Sequence, residues 1–392
     1  RGHHVIACSL SVKKRGTWQG VELFPYRLNQ TQYSSHPLAN EFQTKILRAE
    51  GCGRVLLQIA AEGFVPDCII AHPGWGESLF VKEIWPDTKL ALYCEYYYNP
   101  AGVDVGFDPE LSNLSLERKL RARLKNANLL LNLEMADAAI APTYWQKARF
   151  PDWFQNTITV IHDGIDIDRA KPDHTSTLRI SDGLTLTRDN EVITYVSRNL
   201  EPYRGYHRFM RALPQILQKQ PTAHVVIIGG DGVSYGAPPD DPYVTWKQLF
   251  FEEIEHQLLS EDLKRVHFLG QIPYADYLRA LQISRAHIYL TYPFVLSWSL
   301  LEAMACECPI IASHTESVRE VISPQRDNGV LIDFFDREQL AESVSEIVRS
   351  PERAQRIGRN ARQTIVENYS LSTCCLPAQL AWAESVARGQ QH

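Results

Sequence analysis

No apolar run in this sequence is long enough to cross a bilayer, so the sequence predicts no membrane-spanning helix. An excess of basic residues is also lacking: 40 lysines and arginines stand against 46 aspartates and glutamates, and the formal net charge is −6. Since a general nucleic-acid-binding protein is normally basic, the charge balance argues against that class. There is no internal repeat and no low-complexity segment, which argues against a repeat protein.

Cysteine and histidine pairs at metal-ligand spacing are missing as well. Cys306 and Cys308 are close together in sequence, but no second pair lies at the spacing of a zinc site. Several of the other cysteines fall in apolar predicted strands, where cysteine packs as a small hydrophobe. We therefore expect reduced structural cysteines, no bound metal and a cytoplasmic protein.

A regular alternation of short apolar runs and longer helical patterns runs through the chain, which predicts an α/β protein with parallel sheets covered by helices. A chain of 392 residues is too long for one ordinary core, so we expect two domains, 1–170 and 191–368, joined by a polar linker at 171–190. A helical tail follows at 369–392. The predicted strands are 5–9, 68–71, 90–94, 138–141 and 158–161, then 192–196, 224–228, 266–269, 288–290, 310–312 and 330–332.

The stretch 292–322 is the most informative part of the sequence. It predicts a loop, a helix that begins near Ser297 and Ser299, a buried strand and a second helix. A helix N-terminus offers unpaired N–H groups and a positive dipole end, which suit a phosphate. Glu302 lies one turn inside the helix, placed to accept hydrogen bonds from a pair of ligand hydroxyls. The arrangement suits a sugar nucleotide, with its diphosphate at the helix end and its ribose at the carboxylate.

The segment SLLEAMACECPIIAS resembles the signature of the retaining "group 1" glycosyltransferases, glycosyltransferase family 4. That pattern is Glu, seven residues, Glu, then Ala-Met-Ala and a strand. The second glutamate matches Glu302, and the first falls on Phe294. In the family the first glutamate contacts the donor sugar and the second the ribose, so the resemblance implies an intact nucleotide site and an altered sugar site.

The resemblance also implies a fold and an architecture. The family has the GT-B fold, in which two doubly wound Rossmann-like domains face a central cleft and the last helix crosses back to the first domain. Relatives begin with a β–loop–α unit that we expect to be missing before Val5. The resemblance implies metal-independent catalysis with a UDP-, GDP- or ADP-sugar as the donor.

Arg198 and Arg204 follow a predicted strand, and Gly205 comes next. Two guanidiniums at the carboxyl end of a strand would clamp a diphosphate and neutralise the charge that develops on the leaving group. The family has a similar arginine followed by Lys-Gly, with a spacing one residue shorter. The alternative is a pair of surface arginines, which is the more common fate of arginine.

Other donor-binding residues are implied by the resemblance. Gly229 and Gly230 follow a strand but lack the GxGxxG fingerprint and its carboxylate, so a dehydrogenase is not favoured. In the family such a turn lines the donor cleft, and the segment around Gln271 borders the base. The full predicted donor set is Gly229, Gly230, Gln271, Ile272, Phe294, Leu296, Ser297, Trp298, Ser299, Leu300 and Glu302.

In the first domain, glycines and aromatic residues follow two predicted strands. His72 is the best match for a family histidine that contacts the donor sugar, so we include it among the catalytic residues, although a lone histidine is often a packing residue. Trp75, Glu95 and Tyr97 are predicted on the acceptor side, because aromatic faces and a carboxylate suit sugar hydroxyls. The tyrosines around Glu95 are equally consistent with packing.

The stretch 116–131 predicts a helix with four leucines near one face: Leu116, Leu120, Leu124 and Leu131. Five basic residues accompany them, so the helix is suited to rest on anionic lipid and to place the protein at the inner face of the membrane. The alternative is a helix that packs on the sheet and exposes a solvated basic face.

The sequence therefore predicts a retaining, metal-independent glycosyltransferase that moves a sugar from a nucleotide-diphosphate sugar to a hydroxyl of a saccharide, lipid or other acceptor. The replacement at Phe294 keeps a second hypothesis open, a related binding or regulatory protein with reduced catalysis. A third is a nucleotide-sugar epimerase of related fold, which would need no acceptor.

Overall fold

The computed structural model describes residues 2–28, 36–111 and 115–390. The chain forms two compact units. The N-terminal unit takes the described residues within 1–106, 112–162 and 378–392, and the C-terminal unit takes 107–111 and 163–377. The short segment 107–111 lies inside the sequence-predicted N-terminal domain, yet it packs with the C-terminal unit.

The N-terminal unit contains two sheets. The strands are β1 Val5–Ser9, β2 Gly16–Trp18, β3 Val21–Pro25, β4 Cys68–Ala71, β5 Lys89–Tyr93, β6 Ala138–Ala141 and β7 Ile158–Val160. In the first sheet, β1 pairs with β3 in parallel and β2 pairs with β3 antiparallel; in the second, β4, β5, β6 and β7 are parallel neighbours in that order. The helices are α1 Pro37–Ala61, α2 Val81–Ile84, α3 Leu116–Met135, α4 Tyr144–Lys147 and α5 Asp152–Gln155. All five strands predicted in this half are confirmed. The sequence did not predict β2, which is exposed, or β3, which is mostly half-buried, because neither contains a clear apolar run.

The C-terminal unit contains a six-stranded parallel sheet and a separate two-stranded hairpin. The hairpin strands are β8 Thr177–Ser181 and β9 Leu184–Thr187, and the sheet strands are β10 Val192–Asn199, β11 His224–Gly230, β12 Val266–Gly270, β13 Ala286–Tyr289, β14 Ile310–Ser313 and β15 Val330–Ile332. The order in the sheet is β12-β11-β10-β13-β14-β15. Its helices are α6 Tyr206–Lys219, α7 Trp246–Glu255, α8 Ser260–Leu263, α9 Tyr274–Gln282, α10 Trp298–Ala305, α11 Glu316–Arg319, α12 Arg337–Arg349 and α13 Pro351–Asn368. After a π-helical turn the chain continues into α14 Leu376–Ala387, which from residue 378 onward belongs to the N-terminal unit. The six predicted strands are confirmed as the members of this sheet.

The central strand β5 shows why both faces of the N-terminal sheet are covered. Leu90 and Leu92 point into a core that also contains Leu133 of α3. Ala91, between them, faces the other side and packs with Trp382 of α14. Because successive side chains of a strand point to opposite faces, an uninterrupted apolar strand needs a partner on each side.

The region 171–190, predicted as a polar linker, contains the hairpin β8–β9. Leu178 and Leu186 are buried in a cluster with Val226 of β11 and Ile283. The sequence did not predict this hairpin. Only about every second residue in it is apolar, and the residues against which these pack are distant in sequence. Among the described residues, no helix combines the length and the apolarity that crossing a bilayer requires.

The helix α13 packs closely against the turn after α10. Gly358 lies inside α13, and a Cβ atom there would be 2.2 Å from the carbonyl oxygen of Glu307. Since that neighbour is backbone, it cannot rotate away. This packing fixes the end of α10, the helix whose other end is the predicted phosphate site.

We expect Gly358→Ala to destabilise the C-terminal unit. Alanine normally favours a helix over glycine by about 1 kcal/mol, but overpacking here should lower the free energy of unfolding by about 1–3 kcal/mol. Thermal unfolding followed by circular dichroism measures the change. The exposed Arg359→Ala on the same helix is the control, with an expected change within about 0.5 kcal/mol. Equal or greater stability of Gly358→Ala would contradict the close packing.

Candidate functional site

The parallel strands of the C-terminal unit end together at one edge of the sheet. The strand β10 lies between β11 and β13, so the chain goes to opposite sides of the sheet after β10 and after β13. Open α/β sheets bind ligands outside the carboxyl ends of the strands at such a switch point. The segments 200–205 and 290–297 leave the two strands here, and both contain predicted site residues.

Arg204 is buried at this switch point, with 7% of its surface exposed. It ends a short 3-10 turn, and Gly205 then takes the left-handed conformation with φ 69°. The Nη1 atom of Arg204 donates hydrogen bonds to the hydroxyls of Tyr289 and Thr291, at 3.2 and 2.9 Å. It also lies 3.5 Å from the carbonyl oxygen of Val295. The arginine is therefore not a free surface group but a buried charge whose partners are two side-chain hydroxyls and one backbone carbonyl.

Tyr289 links Arg204 to the start of α10. Ser297 is the N-cap of that helix, as the sequence predicted, and its backbone N–H donates to the Tyr289 hydroxyl at 3.2 Å. The N–H of Ser299 donates to the Ser297 hydroxyl and the N–H of Leu300 to the Ser297 carbonyl oxygen, at 3.3 and 3.1 Å. A guanidinium, two hydroxyls and a helix N-terminus thus meet in one place, a combination that favours an anion.

Glu302 lies one turn inside α10 and holds two tyrosine hydroxyls. Its carboxylate oxygens accept from Tyr274 at 2.7 Å and from Tyr277 at 2.8 Å, both on α9. Burial and the negative charge of Glu302 raise the pKa of Tyr277, so its hydroxyl stays protonated and donates. The carboxylate is thereby oriented to accept from a pair of hydroxyls, which is the arrangement that a ribose diol needs.

The two glycines that end β11 permit a close approach of two neighbouring segments. A Cβ atom on Gly230 would lie 2.6 Å from the side-chain oxygen of Asn199 and 2.8 Å from the side-chain nitrogen of Gln271. A Cβ atom on Gly229 would lie 2.8 Å from the carbonyl oxygen of Ser197. The structure therefore brings the predicted Gly229, Gly230 and Gln271 together at the ends of β10, β11 and β12.

Phe294 stands where the family pattern has a carboxylate, and it packs in an aromatic cluster. Its ring centroid lies 5.4 Å from that of Tyr203 and 5.0 Å from that of Tyr235. The guanidinium carbon of Arg204 lies 5.1 Å from the Tyr235 ring and 5.8 Å from the Phe294 ring, within the range of cation–π attraction. This position offers no carboxylate to a sugar hydroxyl and instead helps to cover the arginine.

Sequence reasoning missed Glu201, which orders the loop that carries Tyr235. Glu201 is fully buried, and its carboxylate accepts backbone N–H groups of Ser234, Tyr235 and Gly236 at 3.0, 3.2 and 3.4 Å. The available signal was an acidic residue between two candidate arginines and directly before a proline. Such a residue at the start of a turn suggests a structural acceptor of backbone donors.

The remaining predicted donor residues separate into two kinds. Arg198 is exposed at the end of β10, and within the described ranges it makes no hydrogen bond or ion pair. Trp298 is also exposed, and its indole N–H donates to Asp163 at 3.0 Å. The side chains of Leu296 and Leu300 are buried in the apolar core, so only their backbone is available to a ligand, and the side chain of Ile272 is partly buried against that core.

The N-terminal unit brings three of its predicted residues together. The Nε2 atom of His72 lies 3.0 Å from a carboxylate oxygen of Glu95, and its ring stacks on Trp75 at 4.5 Å between centroids. The Nδ1 atom accepts the backbone N–H of Gly74 at 3.1 Å, so the proton is on Nε2 and is donated to Glu95. Tyr97 packs instead beside Phe150 and the sheet core, away from this group.

A row of buried asparagines on α3 holds the two loops that carry this group. Asn126 bonds both the N–H and the carbonyl of Tyr98, at 3.0 and 2.7 Å. Asn128 and Asn132 both donate to the carbonyl oxygen of Pro73, at 2.5 and 3.4 Å. Buried polar side chains are costly unless they are bonded, so these residues fix the loops after β4 and β5.

In the part of the chain that the structure describes, Asp108, Glu110 and His207 bring metal-ligand atoms within 4.8 Å of one another. Both carboxylates already accept from arginines: Asp108 from Arg208 at 2.9 Å and Glu110 from Arg211 at 2.6 Å. Two guanidiniums beside the site oppose a further cation. The chemistry of this group is therefore that of an ion-pair network.

Two family models match this chain. One, described as "Glycosyl transferase family 4 group", matches residues 1–170, and the other, "Glycosyl transferases group 1", matches residues 180–364. A GDP-mannose-dependent phosphatidylinositol monomannoside mannosyltransferase of Corynebacterium glutamicum is 24% identical over 57% of this chain and 55% of its own length. Spore coat protein SA of Bacillus subtilis is 25% identical over 57% of each chain. The chain thus spans little more than half the length of these curated relatives.

Solved structures agree with the fold. A sucrose-phosphate synthase of Thermosynechococcus elongatus superimposes with a TM-score of 0.72 at 16% identity, covering 99% of this chain and 90% of that one. The HepE protein of Anabaena, solved with UDP and glucose, gives a TM-score of 0.61 at 22% identity and covers 93% and 86%. Together with the two family models, these matches confirm the predicted fold and family: the chain belongs to the group 1 glycosyl transferases and has the GT-B fold.

Proposed function

We propose that this protein transfers a sugar from a nucleoside-diphosphate sugar to a hydroxyl of a saccharide, lipid or other acceptor. One observation carries the proposal: Arg204 and the N-terminus of α10 share the Tyr289 hydroxyl at the switch point, and Glu302 lies one turn away. A diphosphate suits the guanidinium and the helix end. The ribose suits Glu302, whose two tyrosine partners would give way to the ribose hydroxyls.

The reaction that we propose retains the configuration at the anomeric carbon. The bond from that carbon to the diphosphate breaks, the acceptor oxygen bonds on the same face, and the acceptor proton passes to an oxygen of the departing diphosphate. Arg198, Arg204 and the start of α10 would neutralise the growing charge. We assign the acceptor to the His72–Trp75–Glu95 group, where an exposed aromatic face and a carboxylate suit a hydroxylated ligand.

The names of the relatives support this class of substrates. The Corynebacterium relative and one from Mycolicibacterium smegmatis are named as GDP-mannose-dependent enzymes that act on phosphatidylinositol mannosides, and the Anabaena structures contain UDP or UDP-glucose. These nucleotides share the diphosphate and the ribose that the site suits. A screen with UDP-, GDP- and ADP-sugars is therefore the first experiment.

We expect Glu302→Gln to weaken the donor complex. Loss of a charged acceptor of two hydroxyl bonds should raise the KM for the sugar nucleotide about ten- to 100-fold. The measurement is release of nucleoside diphosphate with several acceptors, and chromatography of the product gives its anomeric configuration.

Glu252→Gln, on the exposed face of α7, is the matched control and should behave as wild type. The proposal would be contradicted if no donor released nucleotide and if Glu302→Gln bound nucleotide as the wild type does. Binding without transfer would indicate a regulatory protein, and an altered nucleotide sugar without acceptor would indicate an epimerase.

Metal independence is a separate part of the proposal. The groups assigned to the leaving diphosphate are guanidiniums and helix N–H groups, which replace the charge that a metal supplies in other transferases. We therefore expect the initial rate to stay within about twofold of its value after addition of EDTA, since neither guanidiniums nor N–H groups are removed by a chelator. A rate that falls with EDTA and returns with added Mg²⁺ or Mn²⁺ would contradict this part alone.

We also propose that the protein is cytoplasmic and that its helix α3 rests on anionic lipid at the inner face of the membrane. The four leucines of the predicted stripe are exposed, with Leu116 at 72% and Leu120 at 44%. The buried face of α3 is formed by other residues, among them Ala122 and Leu129, so the leucine stripe is not used to pack on the sheet. Exposed basic residues accompany the stripe: Arg118, Lys119, Arg121 and Arg123.

The basic charge of this surface favours an anionic membrane over a protein partner as its binding partner. A lone apolar stripe would suit a protein partner as well, but basic residues add about 1 kcal/mol each beside an anionic bilayer. The surface therefore fits an anionic membrane, which is also where a lipid-linked acceptor would be found.

We expect the Leu120→Ser and Leu124→Ser double variant to bind vesicles at least tenfold more weakly, because each buried leucine contributes about 1.5–3 kcal/mol. Co-sedimentation with phosphatidylcholine vesicles that contain phosphatidylglycerol measures binding, and vesicles of phosphatidylcholine alone should bind less. Leu57→Ser is the control, since Leu57 is 57% exposed on α1 of the same unit. Equal binding of the double variant and the control would refute the lipid surface.

A further inference from the structure

The segment Phe107–Leu111, called here the docking segment, is a part of the C-terminal unit that sequence reasoning did not assign to it. The described residues that precede and follow it in the sequence, up to 106 and from 115 to 162, belong to the N-terminal unit. Phe107 packs between aromatic rings, with centroids 5.1 Å from Tyr292 and 5.2 Å from both Phe334 and Phe335. The segment is thus inserted into the unit rather than lying loosely on it.

Asp108 is the most strongly held residue of the docking segment. Its side chain is 1% exposed and accepts from Nε2 of His207 at 2.7 Å and from Arg208 at 2.9 Å. The hydroxyl of Tyr292 donates to it at 3.3 Å. Burial alone would raise the pKa of Asp108, but the hydrogen bond from His207 and the charge of Arg208 bring it down to about 2. These two partners therefore favour the ionised form of the carboxylate.

Glu110, near the other end of the segment, also pairs with Arg208, at 3.3 Å, but its shortest ion pair is with a different arginine. It is more exposed than Asp108, with 38% of its side chain accessible, and it pairs with Arg211 at 2.6 Å. Arg211 also pairs with Glu253 at 2.5 Å. Unlike Asp108, Glu110 makes no bond to Tyr292 or to the loop 291–297 in the described residues.

Tyr292 connects the docking segment to the candidate donor site. Its backbone N–H donates to the carbonyl oxygen of Tyr203 at 3.0 Å, and the two rings are 4.8 Å apart. The residue before it, Thr291, accepts a hydrogen bond from Arg204. One side of the loop 291–297 therefore meets Asp108, and the other side meets the buried arginine.

We propose that Asp108 is a positioning residue of the donor site, which acts through Tyr292 to hold the loop 291–297 around Arg204. This inference rests on the proposed function of that loop as a diphosphate site. Without the carboxylate, the Tyr292 hydroxyl and the His207 ring would lose their charged hydrogen-bond acceptor in a buried place. Because buried polar groups without a good acceptor are costly, the loop 291–297 would tend to move. Arg204 would then lose the fixed acceptors at Thr291 and Val295.

The test uses the full chain with UDP, GDP and ADP as probes. We expect Asp108→Asn, which preserves volume, and Tyr292→Phe, which removes only the hydroxyl, each to weaken nucleoside-diphosphate binding about two- to thirtyfold by calorimetry. Because both act on one bond, the double variant should weaken binding by less than the product of the two factors. The KM for the donor should rise, while the KM for the acceptor stays as in wild type.

Glu110→Gln is the matched control, because it removes a charge from the same segment without touching Tyr292. It should bind nucleotide as wild type does. If Glu110→Gln weakens binding as much as Asp108→Asn does, the segment has only a general structural role and the inference is wrong. Wild-type affinity in both Asp108→Asn and Tyr292→Phe would also overturn it, while the proposed function would stand.

Two further outcomes distinguish a failure of this inference from a failure of the proposed donor site or of folding. If wild type itself binds none of the three nucleotides, the proposed donor site fails and the inference falls with it. If Asp108→Asn does not fold, Tyr292→Phe decides the question, since removal of one hydroxyl leaves the ring in its aromatic cluster. Thermal unfolding of each variant shows which case applies.

Discussion

The buried guanidinium of Arg204 is the constraint on which the candidate donor site depends. A buried charge costs several kcal/mol unless its donors are satisfied, and here the acceptors come from Tyr289, Thr291 and Val295. The segment after β13 must therefore take the path that supplies them. That path ends at Ser297, where α10 can begin, so one charge links the end of β10 to the start of a helix.

Polar groups within each unit repeat this logic. On α3 the asparagines at 126, 128 and 132 occupy a buried helix face on which leucine would be expected, and their amides hold backbone groups of Pro73 and Tyr98. In the C-terminal unit Glu201 gathers three backbone N–H groups of the loop that carries Tyr235. In both places a buried polar side chain converts a loop, which is normally mobile, into a fixed part of the site.

The aromatic cluster adds a feature specific to this chain. Phe294 replaces the carboxylate of the family pattern, and its ring lies with Tyr203 and Tyr235 around Arg204. A ring in this place excludes water from the arginine and strengthens its electrostatic interactions, since the local dielectric falls. We infer that the sugar contacts of this protein differ from those of relatives that have the glutamate.

The sequence by itself determined the strands of the two all-parallel sheets and the order of the motifs. The strands of both parallel sheets, the N-cap Ser297 and the place of Glu302 followed from local patterns of apolar and hydroxyl residues, because strand and helix periodicity and capping act over a few neighbouring residues. His72 and Glu95 could be expected near each other because adjacent parallel strands end at the same edge.

Only the tertiary structure decided which distant groups meet. The burial of the β8–β9 hairpin, the tyrosine partners of Glu302, the role of Glu201 and the insertion of Asp108 beside His207 all join residues far apart in sequence. The same holds for α3: its leucine stripe was visible in the sequence, but whether that face is buried depends on what packs against it. The type of each residue and its neighbours in sequence limit the interactions that its side chain can make. Packing between segments that are distant in sequence then determines which of those interactions form.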